Sequence, residues 1–228
     1  MAPQLFGVEH ILYIVISTIV ASTALLLARK YLNTEKAKRA FLRVLAAILF
    51  VAIAANRFSM AHYFGSILIP DSFCGMTSLV LSLAVLFGKK NNNVLHFVWL
   101  LGLFGGISTV LYANFLDQNS SFFFLPTISG LLHHSLCAML VVALLMFRQI
   151  DITYKKWYCT LFGFTSYLTV GAFMMQNLGL SDAFHIAEPL LSDTPLTAWV
   201  MAPIYAVCYG LILIGVEIAK KKKRSVSV

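Results

Sequence analysis

The sequence predicts an all-α membrane protein: one bundle of seven transmembrane helices, with the N-terminus outside and the C-terminus in the cytoplasm. Three observations carry that prediction. Hydrophobic residues make up 60% of the 228-residue chain and charged residues 11%, with a mean hydropathy of +0.84. Soluble domains carry roughly 25% charged residues. The apolar residues come in long continuous runs, not in the ~10-residue alternating segments of a membrane β-barrel. Finally, 16 of the 17 lysines and arginines fall in alternate connections between those runs.

The runs lie near Leu5–Ala28, Phe41–Tyr63, Ile69–Phe87, Val94–Phe115, Phe122–Phe147, Trp157–Gln176 and Leu196–Ile218. Each approaches the ~20 residues that a helix needs to cross the hydrocarbon core. The first follows Met1 without a basic leader and is long enough to span, so no cleaved signal peptide is expected. Basic residues then alternate. Arg29, Lys30, Lys36, Lys38, Arg39 and Arg43 follow the first run, Lys89 and Lys90 the third, and Arg148, Lys155 and Lys156 the fifth. Lys220 to Lys223 and Arg224 follow the seventh. Glu9, Asp71, Asp117, Asp182, Glu188 and Asp193 lie on the other side, with no lysine. The positive-inside rule puts the lysine side in the cytoplasm. Residues 1–219 are read as a single seven-helix domain and residues 220–228 as a basic cytoplasmic tail, solvated or bound to lipid headgroups. Glu217 stands at helical spacing to pair with Lys220 or Lys221.

Several function classes fall away. The net charge of +8 belongs to membrane orientation, so no nucleic-acid partner is expected. Cys74, Cys137, Cys159 and Cys208 are widely spaced inside apolar runs, which is neither a disulfide framework nor a zinc pattern. The connection 177–195 is polar enough for the surface and could form a short lid. Asn119-Ser-Ser121 is a glycosylation sequon in an outer connection, a pattern that also occurs by chance.

Polar side chains gather at one depth. His10 opens helix 1, while Asn56, Arg57 and His62 close helix 2. Cys74 lies a turn inside helix 3, and His133 and His134 lie about 10–18 Å inside helix 5. Asn177 and His185 follow helix 6. All are on the side away from the lysines; only His96 falls in the other half. Ionisable groups within a span are costly and usually face the bundle interior or a watery cavity. One cavity open to the outer leaflet is therefore expected. Each residue also has a plainer reading. Arg57 could snorkel to headgroups, one of the histidines could simply bond a carbonyl, and Cys74 could be an inert small apolar residue. Cys137, one turn after His133, is its rival.

The expected catalytic pair is Cys74 with His134. A thiol attacks as the thiolate, and an imidazole within reach can take its proton and return it to a leaving group. Asp71-Ser-Phe-Cys74 puts the sulfur in the first turn of helix 3, near the positive end of the backbone dipole. Such a pair suits acyl transfer through a thioester, in a lipid acyltransferase or a thioesterase-like enzyme, and the acyl donor at hand in the outer leaflet is a phospholipid. The expected substrate contacts are Arg57 on the phosphate, with His133, Asn177, His10 and His62 around it. For His10 and His62, a structural role at the interface is the competing reading. No metal ligand set, cofactor or obligate protein partner is expected.

These features resemble the YwaF family of bacterial integral membrane proteins, which also covers a eukaryotic transmembrane ether-phospholipid acyltransferase. Phe6-Gly7-Val-Glu-His10 resembles its histidine at the start of helix 1. Ile69-Pro-Asp-Ser-Phe-Cys74-Gly75 resembles its proline-to-Cys-Gly entry into helix 3, and Trp99-Leu-Leu-Gly102-Leu-Phe-Gly105-Gly106 its glycine-rich helix 4. His134-Ser-Leu and Asn177-Leu-Gly179 resemble elements of helix 5 and the end of helix 6. The resemblance implies a seven-helix fold, Cys74 as nucleophile, His134 as its partner, and acyl transfer on phospholipid in a bacterial cytoplasmic membrane, or an endomembrane in a eukaryote. Leu180-Ser181-Asp182 departs from the family's usual Asn-Tyr after that glycine, and Ser72-Phe73 stands where a histidine is expected.

Two further readings compete. A zinc-dependent intramembrane lipid hydrolase of the ceramidase-like type needs at least three convergent ligands, yet every acid here lies in a connection or near a helix end. A small-solute transporter or binding module would use the polar cavity as a solute site, but no internal repeat is visible.

Overall fold

A computed structural model of the protein describes residues 3–116, 121–191 and 193–226, with backbone alone for 223–226. Asp117, Asn119 and Ser120 lie outside the described residues, as do the side chains of Lys223 and Arg224. The described residues are all-helical. The helices are α1 (Val8–Tyr31), α2 (Glu35–Phe64), α3 (Phe73–Leu86), α4 (Asn93–Leu111), α5 (Leu125–Met146), α6 (Tyr158–Asn177) and α7 (Ala198–Val226), with a 3-10 turn at Tyr154–Lys156. Six are long and apolar enough to cross a membrane; α3, at 14 residues, is shorter.

Local chemistry sets the boundaries. Thr34 accepts a hydrogen bond from the Ala37 amide and starts α2 six residues before the expected Phe41. Helix α2 therefore carries the basic residues Lys36 to Arg43 on its first turns. Ser72 caps α3 by accepting from the Gly75 amide. With Pro70 just upstream, this delays the helix from Ile69 to Phe73 and leaves Cys74 as its second residue. Pro126 sits in the first turn of α5, where its missing N–H costs nothing. Helix α7 runs on to Val226, so the basic tail is a continuation of the helix. Lys220 reaches Asp151 Oδ1 at 2.8 Å and the Ile152 carbonyl, not Glu217.

Helices α2 to α5 form the body, with α5 packed on α2, α3 and α4. Leu49, Leu81, Val98, Leu140, Val141 and Ala143 are fully buried between them. Close approach of α4 to α5 depends on Gly106, where a Cβ would stand 2.7 Å from the His134 carbonyl oxygen. Helix α6 packs on α4. Helices α1 and α7 lie outside, apolar on most faces, and α1 buries only His10 and Ala28. A helix apolar all round and unburied by protein is suited to lipid contact.

The bundle has two distinct ends. At one, the starts of α2, α4 and α6 meet the ends of α3, α5 and α7. There Gln149 and Lys90 reach Glu35, Asn91 joins Gln149 and Asp151, and Lys156 reaches Asn93. This is the lysine end. The other, the histidine end, holds the start of α1, the end of α2 and the starts of α3 and α5. The connection 178–197 belongs to it and differs from the expected surface loop. Ala183 and Phe184 are buried. The Phe184 ring packs on Phe73 and stacks on Tyr167, while its amide donates to the Asp71 carbonyl at 2.7 Å. The reason is aromatic packing: Phe73, Tyr167 and Phe184 form one cluster beside the start of α3. Phe184 and His185 hold φ of 55° and 56°, a conformation uncommon for residues other than glycine.

Candidate functional site

At the histidine end, α2, α3 and α5 enclose a cavity of about 260 Å³ lined by Asn56, Arg57, Asp71, Gly75, His133 and His134, among others. Its lining runs from exposed Phe64 inward to the two buried histidines.

Arg57 is buried on α2 and is held from the segment ahead of α3. Its Nη1 donates to Asp71 Oδ1 at 3.2 Å and its Nη2 to the Ile67 carbonyl. Its Nε is buried with no hydrogen-bond partner among the described residues. Arg57 thus points inward to a carboxylate and does not snorkel to the surface. Asn56 ties α2 to the first turn of α5, donating to the Pro126 carbonyl at 3.1 Å and Ser129 Oγ at 3.3 Å.

His133 and His134 stack at 4.1 Å between ring centroids, tilted by 33°. They divide the available contacts unequally. His133 Nδ1 is 3.2 Å from Ser78 Oγ on α3. His134 makes no hydrogen bond to any described residue, yet is only 7% exposed. Its ring nitrogens are not among the fully buried polar atoms left without a partner, so the ring is open to the cavity it lines.

Cys74 is half-buried on the α4 side of α3. Its Sγ lies 4.0 Å from Thr109 Oγ1 and against Gly105, where a Cβ would be 2.9 Å away. Cys74 is not among the residues lining the cavity, although Gly75 is. What joins it to His134 is the Gly105–Gly106 pair of α4: the sulfur rests on the first glycine and the His134 carbonyl on the second. Cys137, the rival, is fully buried against Gly102.

The other expected contacts lie elsewhere. His10 Nδ1 accepts from the Phe6 amide, so Nε2 carries the hydrogen and donates to the Val110 carbonyl at 2.8 Å. That bond clamps α1 to the end of α4. His62 is exposed and packs edge-on against Tyr63. Asn177 is exposed and donates to the Phe173 carbonyl at 3.0 Å. None of these three lines the cavity. Two residues that the sequence reading did not assign to the site belong to it. Asp71 is the counter-ion of Arg57, and the signal was present: a buried arginine needs a carboxylate at its depth. Ser78 gave no signal, since a serine mid-helix usually bonds its own backbone. Among the described residues, no three His, Cys, Asp or Glu side chains come together as a metal ion would require.

The family model described as the TMEM164 family matches residues 5–218, nearly the whole chain. No curated protein and no solved structure matches the chain.

Proposed function

The chain belongs to the TMEM164 family of transmembrane proteins, and from that premise we propose that it is a membrane-embedded phospholipid acyltransferase with Cys74 as nucleophile and His134 as its base. The observation that carries the reading is His134: buried, lining the cavity without a hydrogen bond to a described residue, with its backbone carbonyl against Gly106 next to the Gly105 on which the Cys74 sulfur rests. The reaction class is also what the resemblance to the YwaF family implies.

His134 takes the thiol proton as the sulfur attacks an acyl ester carbonyl. The carbon–sulfur bond forms and the ester carbon–oxygen bond breaks. The proton passes from His134 to the leaving glycerol oxygen, and a lysophospholipid departs. A second lysophospholipid hydroxyl, or water, then attacks the thioester, gives its proton to His134, and the proton returns to sulfur. Arg57 binds the phosphate through its uncommitted Nε–H, held in place by Asp71 and Ile67. His133, anchored by Ser78, fixes the rotamer of His134 by stacking.

The reading includes seven crossings. Helix α2 ends at the histidine end and α4 begins at the lysine end, so α3 connects the two despite its length. The lysine end is cytoplasmic by the positive-inside rule, and the cavity serves the opposite leaflet.

The test uses purified protein in phospholipid vesicles containing an acyl-labelled phospholipid and an unlabelled lysophospholipid. Wild type transfers the label, while Cys74→Ala and Cys74→Ser do not, with thermal transitions unchanged. Transfer at the wild-type rate by both variants contradicts the proposal.

A further inference from the structure

Helix α1 buries less of itself than any other of the six long helices. It is fastened near the histidine end by two polar contacts, His10 Nε2–H to the Val110 carbonyl and Tyr13 Oη to Ser135 Oγ at 2.9 Å. At the far end only Ala28 is buried. Between those fastenings lie two adjoining cavities, of about 490 Å³ and 350 Å³. Ser17 and Ala21 of α1 and Ser135 and Met139 of α5 line both.

The slot is mostly apolar along its length. Glu9, Tyr13 and Ser135 stand toward the histidine end and Ser17, Thr18 and Ser22 farther along α1, and the remaining walls are aliphatic or aromatic. A void against apolar walls forfeits dispersion contacts. Within a bilayer, the apolar groups at hand to fill such a void are the acyl chains of phospholipids. The slot also lies level with Cys74. Gly106 and Val110 of α4 line the smaller cavity, and the sulfur rests against Gly105 and Thr109, the residues just before them.

We infer that the slot under α1 binds the acyl chains of a phospholipid drawn from the surrounding bilayer, with α1 as the side through which they enter. The slot's role in catalysis rests on the acyl-transfer reading; its occupation by lipid does not. The small residues Ser17 and Ala21 make the room, and the α1 clasp on Val110 holds the slot at the depth of the sulfur.

The test is photolabelling in vesicles doped with a phospholipid carrying a diazirine on its acyl chain, mapped by mass spectrometry, on wild type and Cys74→Ala. The expected result is label several-fold enriched on Ala21, Ser135 and Met139 over the outward-facing Ile11, Val15 and Ile19 of the same helix. Ala21→Trp, and separately Met139→Trp from the opposite wall, remove that enrichment, while Val15→Trp leaves it. Equal labelling of both faces of α1, or enrichment that survives both slot-filling variants, overturns the inference. Failure of the chemistry shows differently. Slot labelling together with full turnover by Cys74→Ala removes the acyl-transfer reading and leaves the slot, whereas strict dependence on Cys74 without slot labelling removes only the slot.

Discussion

The two ends of the bundle bury histidines in opposite ways. At the lysine end, His96 is fully buried and donates from Nε2 to Asn91 Oδ1 at 2.7 Å. The same oxygen accepts from the Asp151 amide, Asn91 N–H bonds Gln149, and Lys220 closes on Asp151. The polar groups there bond one another except at His96 Nδ1, which carries a lone pair and has no partner among the described residues. At the histidine end, Arg57 Nε is buried without a partner among the described residues, and His134 lines the cavity with no hydrogen bond to a described residue. Burial of an imidazole is common to both ends and so does not mark a site. A buried donor or acceptor facing open volume does.

The largest expected effects test that contrast in activity. His134→Asn lowers phospholipid acyl transfer by roughly 10²–10⁴-fold, the usual worth of a general base, and leaves the thermal transition in place because no protein hydrogen bond is lost. His96→Asn does the reverse. It leaves transfer near wild type and, by removing the bond to Asn91, costs about 0.5–1.5 kcal/mol of stability by thermal unfolding in detergent. Equal effects of the two substitutions on activity would erase the distinction between the ends.

Arg57→Met strands the Asp71 carboxylate. Asp71 is one-third exposed, so the stability loss is held to about 1–3 kcal/mol, and adding Asp71→Asn recovers part of it. Activity does not recover in the double variant if Arg57 binds phosphate, which a kinetic comparison of the single and double variants reads directly.

Smaller effects sharpen the contrast between the packed body and the peripheral helices. Gly106→Ala forces α4 away from α5 and costs about 1–3 kcal/mol. Gly210→Ala on α7 meets nothing within 4 Å and stabilises by roughly 0.5–1 kcal/mol through helix propensity. Lys220→Ala, at an exposed ion pair, changes stability by less than about 1 kcal/mol. Thermal unfolding of the three variants ranks them.

Much of the fold was legible because hydropathy and lysine placement are coarse signals. Every basic connection among the described residues does lie at one end. The start of α3 was harder to read: Ile69 is apolar, and only the cap at Ser72 moves the first turn onto Cys74. Depth grouped Arg57, His133 and His134, which line one cavity, with Cys74, which does not. Depth cannot distinguish faces of a helix. His10, His62 and Asn177 share the end but point to α4, to Tyr63 and to their own helix. Asp71 and Phe184 sit in connections, where no periodicity reports orientation. Their roles depend on contacts 14 residues away in sequence for Asp71 with Arg57, and more than 100 away for Phe184 with Asp71.

The most direct measurement is a search for the acyl-enzyme. Protein in vesicles with acyl-labelled phospholipid and no acceptor is quenched in acid and digested, and the peptide containing Cys74 is weighed before and after hydroxylamine. The account predicts an acyl adduct on Cys74 that hydroxylamine removes, which is absent from Cys74→Ala and strongly reduced in His134→Asn. An adduct on Cys137 with Cys74 unmodified, or continued acyl transfer with no adduct in wild type and none needed in Cys74→Ala, would contradict it.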